Sequence, residues 1–242
     1  MIENEKIIKL ENIKKKYGNK LVLNDINLQI TKGKIHALIG PNGSGKTTLI
    51  KILNGFVFPN SGKIEVNKEK DIKNGMYFRK EIAYFPTEEN FSNLFKVNDY
   101  VKFICLLRHI KMKKWYDLIN IDLFSTLKQS LEDNCNLLST GWKKILQIAS
   151  NSLFDPSILI MDEITNGLDP SFRSMVLRSI LEAKKKGKTI IISSHILSDI
   201  QEIADEITII KKGNIAFSGK KPNNIQEEYE KIFGIKEIKT FF

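Results

Sequence analysis

Continuously apolar runs and segments with helical spacing alternate along most of this chain. The runs at 157–161 and 189–192 are almost entirely apolar, which is typical of strands buried on both faces of a parallel sheet. Residues 6–30 predict two or three short strands, with a turn at Tyr17-Gly18-Asn19. Shorter strand patterns follow at 35–39, 62–66, 82–85, 206–210 and 215–217, the last two joined by a hairpin-like link.

Helical spacing is clearest in the middle of the chain. It is carried there by Tyr100, Phe103, Ile104, Leu107 and Ile110. The stretch from about 90 to 138 therefore predicts an insertion of two or three helices. Further helices are predicted at 46–54, 142–153, 170–186 and 224–233. Strands that alternate with helices predict an α/β fold with helices on both faces of the sheet.

The charge of the chain narrows its possible partners. Its 242 residues include 38 Lys and Arg against 28 Asp and Glu, a net charge of +10. The excess lies in short separate runs at 14–16, 111–114, 184–188 and 220–221, so we expect solvated faces rather than a nucleic-acid-binding stripe. A basic surface also suits an anionic membrane face.

Neither a membrane span nor a signal peptide is expected. No apolar run approaches the length that crosses a bilayer, and the first residues lack a long apolar stretch. Cys105 and Cys135 show no metal-ligand spacing, and Cys105 lies in an apolar stretch that favours a core position. The simplest interpretation is a reduced, cytosolic protein.

Residues 40–48, Gly-Pro-Asn-Gly-Ser-Gly-Lys-Thr-Thr, match the phosphate-binding pattern G-x-x-x-x-G-K-[ST] directly after the strand at 35–39. Glycines let the backbone turn tightly and direct several N–H groups at one phosphate cluster. Lys46 can reach the β- and γ-phosphates, and the Thr47 hydroxyl can bind Mg²⁺. The pattern predicts a nucleoside triphosphate as substrate. By itself it does not distinguish a kinase, GTPase, helicase or transporter ATPase.

Two further strand ends carry polar residues that such a site needs. Asp162 and Glu163 follow one buried strand, where α/β sheets bind ligands. Asp162 is placed to hold Mg²⁺ through water and Glu163 to polarise the attacking water. His195 follows the next strand, so we expect it to contact the γ-phosphate. A solvated acidic turn and a structural histidine are the alternatives.

The start of another predicted helix is a candidate for a second anion site. Ser139 and Gly141 begin a helix about 20 residues before Asp162, and a helix N-terminus attracts negative charge. A plain N-cap role for Ser139 is the alternative. Asp169, in the turn before Pro170, is either a helix cap or an interface residue.

Five motifs, in this order and spacing, resemble the ATP-binding subunit of an ABC transporter. They are the phosphate loop, the Ser-x-Gly helix start, the Asp-Glu strand end, the Gly-Leu-Asp turn and the strand-end histidine. The resemblance covers roughly residues 5–220. It implies a P-loop NTPase core with a mostly parallel sheet, an N-terminal antiparallel β subdomain and an inserted helical subdomain at about 90–153. Residues 1–220 would form the ATP-binding domain and 221–242 a C-terminal tail.

The resemblance also implies a head-to-tail dimer, in which the helix start of one subunit closes over the ATP of the other. Tyr17 matches the aromatic residue that stacks on adenine, although it could instead be a packing residue at a strand end. The residues implied for ATP are Tyr17, Asn42, Gly43, Ser44, Gly45, Lys46, Thr47, Thr48, Ser139 and Gly141. Those implied for Mg²⁺ are Thr47, Asp162 and Thr87, and those implied for catalysis are Glu163, His195 and Lys46.

Four positions depart from the family pattern. The signature is usually Leu-Ser-Gly-Gly-Gln, whereas this chain has Thr140 and Trp142, a variant similar to the drug- and peptide-exporter branch. Thr87 stands where Gln or Glu usually contacts Mg²⁺ and the attacking water. Either Thr87 acts through water, Glu88 substitutes for it, or coupling to the membrane subunit is altered. Ile164 replaces the usual Pro, with little expected effect.

Two functions fit the resemblance. The first is a peripheral subunit at the cytoplasmic face of a membrane that hydrolyses ATP, as a homodimer or heterodimer, and drives export through separate transmembrane subunits. These would contact the region from Thr87 to Phe95 and the helical insertion. The second is a soluble ABC ATPase outside transport, such as an assembly scaffold or a nucleic-acid-linked ATPase. The lack of a long coiled coil and of a second ATP domain speaks against it.

Overall fold

The computed structural model describes residues 5–67, 81–87, 91, 94–119 and 125–234. Its strands are β1 (Lys6–Tyr17), β2 (Lys20–Thr31), β3 (Ile35–Ile39), β4 (Ser61–Val66), β5 (Ile82–Phe85), β6 (Ile158–Asp162), β7 (Thr189–Ser194), β8 (Glu206–Lys211) and β9 (Asn214–Lys220). Its α-helices are α1 (Lys46–Leu53), α2 (Val97–Leu107), α3 (Lys113–Leu118), α4 (Thr140–Ser152), α5 (Pro170–Lys185), α6 (Leu197–Ile203) and α7 (Ile225–Phe233). Short 3₁₀ helices span Ser125–Ser130 and Cys135–Leu137.

These strands form two sheets. The first is antiparallel with the order β2-β1-β4, and the second has six strands in the order β5-β6-β7-β3-β8-β9. In this second sheet, the neighbouring strands from β5 to β8 pair in parallel, and the β8–β9 pair is antiparallel. The predicted α/β fold, with an antiparallel N-terminal sheet and a mostly parallel central one, is confirmed.

The central sheet is buried on both faces, as its continuous apolar runs predict. Along β7, Ile190 and Ile192 pack in a core with the helices α2, α4 and α5, while Ile191 faces a second core with β1, β2 and α1. Each buried isoleucine stabilises the fold by about 1.5–3 kcal/mol. The two cores therefore fix the strands whose carboxyl ends carry the polar residues.

The first two strands are longer than the sequence predicts. Residues 6–30 form two strands of 12 residues each rather than two or three short ones. Register shifts interrupt the β1–β2 pairing, and Asn12 and Asp25 have positive φ angles of 53° and 56°. Asn12 Nδ2 donates to Asp25 Oδ1 at 2.9 Å. These bulges interrupt the alternation of side chains without ending the ladder, so the pattern predicts short strands where the structure has long ones.

The middle of the chain is helical, as predicted, with α2 and α3 followed by the two 3₁₀ helices. Trp115 and Cys105 are buried there. The seven-residue helix α6 was not predicted, and it begins at Leu197 without a side-chain cap. None of the helices in the described ranges is long and apolar enough to cross a membrane.

Candidate functional site

The phosphate loop joins β3 to α1 through a backbone that only glycine tolerates. Gly45 precedes α1 with a φ of 113°, and a Cβ atom there would lie 2.7 Å from Leu23 Cδ2. Gly40 is similarly enclosed, since a Cβ atom would lie 2.5 Å from the Ile210 carbonyl oxygen. The first turn of α1 contains no acidic residue. The helix thus presents its N–H groups, and the positive end of its dipole, to the loop.

The β8–β9 hairpin, which the sequence predicts only as a hairpin-like link, is hydrogen-bonded to this loop. Gly213, between β8 and β9, donates its N–H to the Ser44 carbonyl oxygen at 3.0 Å. Its own carbonyl oxygen accepts from the Asn24 N–H at 2.8 Å. The Ser44 hydroxyl is buried and makes no hydrogen bond to the described part of the chain. A buried hydroxyl without a partner is costly, and a phosphate oxygen is one group that could pair with it.

Lys46 is buried at the start of α1, with only 5 % of its surface exposed. Its ammonium donates to the Gly40 carbonyl oxygen at 2.7 Å and to the Pro41 carbonyl oxygen at 3.3 Å. Burial lowers the pKa of Lys46, and the nearby carboxylates of Glu163 and Asp162 act against this change. The amine therefore lies at the loop and donates to two neutral carbonyl oxygens, partners that a phosphate can replace.

The strand end of β6 is held by β7. Ser193 pairs with Asp162 in the parallel ladder, and its hydroxyl donates to Asp162 Oδ1 at 2.5 Å. The same hydroxyl accepts from the Glu163 N–H at 3.0 Å. Ser193 is a site residue that the sequence did not predict. Its place beside the acidic strand end, at the equivalent end of the next strand, is the signal that could have found it.

Glu163 lies between two basic side chains. His195 Nδ1 donates to Glu163 Oε2 at 2.6 Å, and Lys46 Nζ lies 3.9 Å from Glu163 Oε1. The Glu163 side chain is 13 % exposed, whereas that of His195 is 50 % exposed. The structure thus places Lys46 and His195, both predicted for catalysis, beside the two carboxylate oxygens of Glu163.

An open cleft of about 600 Å³ lies over these groups. This volume is within the range of small-molecule sites. Most of the predicted ATP residues line it, together with residues of β2 and the β8–β9 turn: Lys20, Leu21, Val22, Asn42, Gly43, Gly45, Lys46, Thr47, Thr48, Thr87, Glu163, Asn166, His195, Lys212 and Gly213. Asp162, only 1 % exposed, lies beneath this surface.

Thr87 follows β5 and lines the same cleft. Its carbonyl oxygen accepts from the ammonium of Lys144 at 3.0 Å, and Lys144 itself is fully buried in α4. The backbone at Thr87 is therefore tied to α4, which the sequence did not predict. Glu88, the proposed substitute, lies outside the described residues.

Four predicted nucleotide residues, Tyr17, Ser44, Ser139 and Gly141, are not among those that line the cleft. Tyr17 is exposed at the end of β1, where Lys15 Nζ lies 5.1 Å from its ring centre. Ser139 caps α4, accepting from the Trp142 N–H at 3.4 Å, and Gly141 is buried in the first turn of that helix. Asp169 caps α5 through Ser171 and Phe172. The plain helix-cap roles considered for Ser139 and Asp169 are thus both present.

The fold and the cleft together define the class of protein. A parallel sheet with a Gly-Lys-Thr loop after β3, and with carboxylates and a histidine at the next two strand ends, is the architecture of a P-loop nucleoside triphosphatase. Residues 23–166 match the ABC transporter family. The chain belongs to this family, and its activity is that of an ATPase.

Relatives extend the match to nearly the whole chain. It is 36 % identical over 234 residues to the lantibiotic transport ATP-binding protein SrtF of Streptococcus pyogenes, covering 96 % of this chain and 95 % of that protein. It is 30 % identical over 235 residues to the Nod factor export ATP-binding protein I of Rhizobium sp. (strain N33), covering 97 % and 76 %. Among solved structures, an ATP-binding subunit of an ABC transporter aligns with a TM-score of 0.81 at 24 % identity over 96 % and 95 % of the two chains.

Proposed function

We propose that this chain is a peripheral subunit that hydrolyses ATP and thereby energises export through separate transmembrane subunits. The observation that carries the proposal is the convergence of Lys46, Glu163 and His195 in one cleft beside the phosphate loop. This arrangement supplies a phosphate-binding cation, a carboxylate for water and a side chain for the γ-phosphate.

Within this proposal, Lys46 exchanges its two carbonyl partners for the β- and γ-phosphates. The oxygens of Thr47 and Asp162 are the hard ligands that Mg²⁺ prefers, and Asp162 is already oriented by Ser193. Bound there, Mg²⁺ would neutralise charge on the phosphate oxygens. Thr87 lines the same cleft and joins this set as a further proposed ligand, acting through water because its side chain is short.

Glu163 is proposed to orient and polarise the attacking water. His195 holds one of its carboxylate oxygens at 2.6 Å, which fixes the direction of the other oxygen. His195 is half exposed at the edge of the cleft, so it is available to the γ-phosphate. Tyr17 is proposed to stack on adenine from the end of β1, beside the lining residues of β2.

The site needs a second subunit for completion. Ser139 and Gly141 do not line this chain's cleft, and Ser139 is exposed at an N-terminus that can bind an anion. We propose that they close over the ATP of a partner in a head-to-tail dimer of like or related chains.

Transport is proposed from the relatives, which are named as lantibiotic transport and Nod factor export proteins. The transmembrane partner would dock near the helical insertion at the cytoplasmic face of a membrane. Leu94 is 90 % exposed there, and Phe91 and Phe95 both pack edge-to-face on Tyr100. The relatives' names give no support to the alternative of an ABC ATPase outside transport.

The Glu163→Gln variant tests the catalytic part of this proposal. Loss of the carboxylate should lower the turnover number about 10²- to 10⁴-fold while ATP still binds, so ATP should trap a dimer. Sedimentation with and without ATP measures the dimer, and Glu182→Gln on the exposed face of α5 is the matched control. Normal turnover by Glu163→Gln would show that another group activates the water.

Co-purification tests the transport part. The chain, extracted from membranes in detergent, should bring down a multi-helix membrane protein. Substitution of Leu94 by Ser should weaken that association, with ATP hydrolysis by the isolated chain unchanged. Quantitative recovery in the soluble fraction, without a membrane partner, would favour the non-transport alternative.

A further inference from the structure

The N-termini of α4 and α5 are packed against each other through two aromatic rings. Trp142 is the third residue of α4 and Phe172 the third residue of α5. Their ring centres are 5.1 Å apart with an interplanar angle of 87°, an edge-to-face contact. Such a contact stabilises a structure beyond the burial of its surface.

Gly141 brings the two helices still closer. A Cβ atom at this position would lie 2.5 Å from Phe172 Cγ and 2.6 Å from Phe172 Cδ2, so the ring lies directly on the Gly141 backbone. A small residue is needed here for packing, besides any role in binding an anion. Phe172 therefore contacts both the second and the third residue of α4.

The rest of the first turn of α4 lies at the surface. Ser139 and Thr140 are exposed, and the Ser139 cap bond of 3.4 Å is long. Because the hydroxyl oxygen only accepts in this bond, its O–H remains free to donate to a phosphate oxygen. Packing on Phe172 helps to keep the turn in place, together with the backbone bond from the Lys143 N–H to the Ser139 carbonyl oxygen at 2.9 Å.

Phe172 lies in the first turn of α5, and several hydrogen bonds hold this turn. Asp169 caps α5 by accepting from the Phe172 N–H at 3.1 Å. The next residue, Arg173, donates through Nε to the buried Asp199 at 2.5 Å, and Asp199 also accepts from Thr165 Oγ1 at 2.8 Å. Thr165 lies two residues after Glu163 and Asp199 four residues after His195. The support of Phe172 therefore belongs to the same framework as the catalytic residues.

We propose that the Trp142–Phe172 contact is a positioning contact, which holds Ser139 and Gly141 ready for the nucleotide of the partner subunit. The inference rests on the proposed head-to-tail dimer. Preorganising the turn removes the entropy cost of ordering it when the dimer closes. Its loss should thus weaken dimer closure without weakening ATP binding to the cleft of the same chain.

The test uses the Glu163→Gln chain as the parent, because it should accumulate the ATP-bound dimer. Trp142→Leu and Phe172→Leu remove the contact from either side, and Trp142→Phe keeps a ring at the position. Phe233→Leu is the control, since it removes another aromatic contact, that with Tyr229 in α7. Calorimetric titration of dilute protein gives the ATP dissociation constant, and sedimentation gives the dimerisation constant in ATP. Thermal unfolding of each sample reports its folding.

One aromatic pair shifts an equilibrium about 2- to 12-fold, and a symmetric dimer contains two. Both Leu variants should therefore weaken ATP-dependent dimerisation about fivefold or more, with the ATP dissociation constant unchanged. Trp142→Phe should recover most of the loss, and Phe233→Leu should dimerise like the parent. If Trp142→Leu is unstable, Phe172→Leu and Trp142→Phe decide the question.

Two results would overturn the inference alone: Leu variants that dimerise like the folded parent, or a Phe233→Leu variant that loses dimerisation equally. A parent that forms no dimer in ATP overturns the dimer in the proposed function, and the inference with it. These failures are distinguishable, because the first leaves the parent dimer intact.

Discussion

Replacing Glu206 by Gln tests a buried polar network that joins the two sheets. Glu206 begins β8 and accepts hydrogen bonds from Thr31 Oγ1 at 2.8 Å and from His36 Nδ1 at 3.4 Å. Thr31 also accepts from Lys6 Nζ at 2.7 Å, and His36 Nε2 accepts from Thr208 Oγ1 at 2.8 Å. Because a carboxylate can only accept, it fixes the direction of these bonds.

The size of the effect follows from the carboxylate's environment. The hydrogen bond from His36, followed by that from Thr31, lowers the pKa of Glu206 from 4.5 to about 2. A change of this size corresponds to ~3 kcal/mol of folding free energy. The side chain is 22 % exposed, so solvent screening reduces the value, and a Gln retains the bond from Thr31. Glu206→Gln should therefore lower the free energy of unfolding by ~2 kcal/mol at pH 7.

The pH dependence has a definite sign. A carboxyl group whose pKa is lowered by folding contributes fully above about 4.5, and the contribution is lost as the pH falls towards 2. His36 adds acid sensitivity of its own, because burial lowers its pKa and the unfolded chain takes up a proton below 6.5. Because Glu206 itself raises the pKa of His36, the difference between the two chains reports the Glu206–His36 pair. It should shrink from ~2 kcal/mol to near zero between pH 5 and pH 2.

Urea unfolding of both chains across this pH range measures the difference. Glu65→Gln is the matched control, since the Glu65 side chain is as exposed as that of Glu206 and pairs with Lys9 at 3.3 Å in the first sheet. It should change the free energy of unfolding by less than about 0.5 kcal/mol at every pH. Parallel curves for wild type and Glu206→Gln would refute the reasoning, because the carboxylate would then titrate alike in both states.

The other predictions concern the cleft. Lys46→Ala should lower ATP turnover at least about a hundredfold in a steady-state assay, because a phosphate-binding cation is lost; unchanged turnover would contradict the assignment of the loop. Thr87→Gln restores the longer side chain usual in the family and should preserve or raise turnover in the same assay. A collapse of turnover would show that the short side chain has a role of its own.

Strand ends were the part of the site that the sequence predicted well. Parallel strands end at one edge of the sheet, so Asp162, Glu163 and His195 could be placed together before the structure was known, although their roles stay predictions. The contact between Lys144 and Thr87 could not be found this way. The two residues are 57 positions apart, and a lysine on a helix is usually exposed. Periodicity predicts which residues share one face of a helix or strand. It does not predict which other element packs against that face.

The same limit applies to irregular backbone. The bulges at Asn12 and Asp25 interrupt the alternation of β1 and β2, although the ladder continues past them. Gly213 is predicted to lie in a turn, but nothing in the sequence indicates that its N–H contacts Ser44 in the phosphate loop. In each case the conformation is decided by a partner far away in the chain.

Glu163 shows how the fold maintains an unfavourable conformation at the point where the chemistry is proposed. Its φ of 51° is left-handed, which costs a residue with a side chain about 1–3 kcal/mol. The Glu163 N–H is held by both the carbonyl oxygen and the hydroxyl of Ser193, at 3.2 Å and 3.0 Å. Because β7 is buried on both faces, this holding strand cannot easily move. The left-handed conformation turns the chain sharply after Asp162, so the strand ends there. The Glu163 carboxylate then contacts His195. The rigid sheet thus supports the one residue whose position the proposed hydrolysis depends on most.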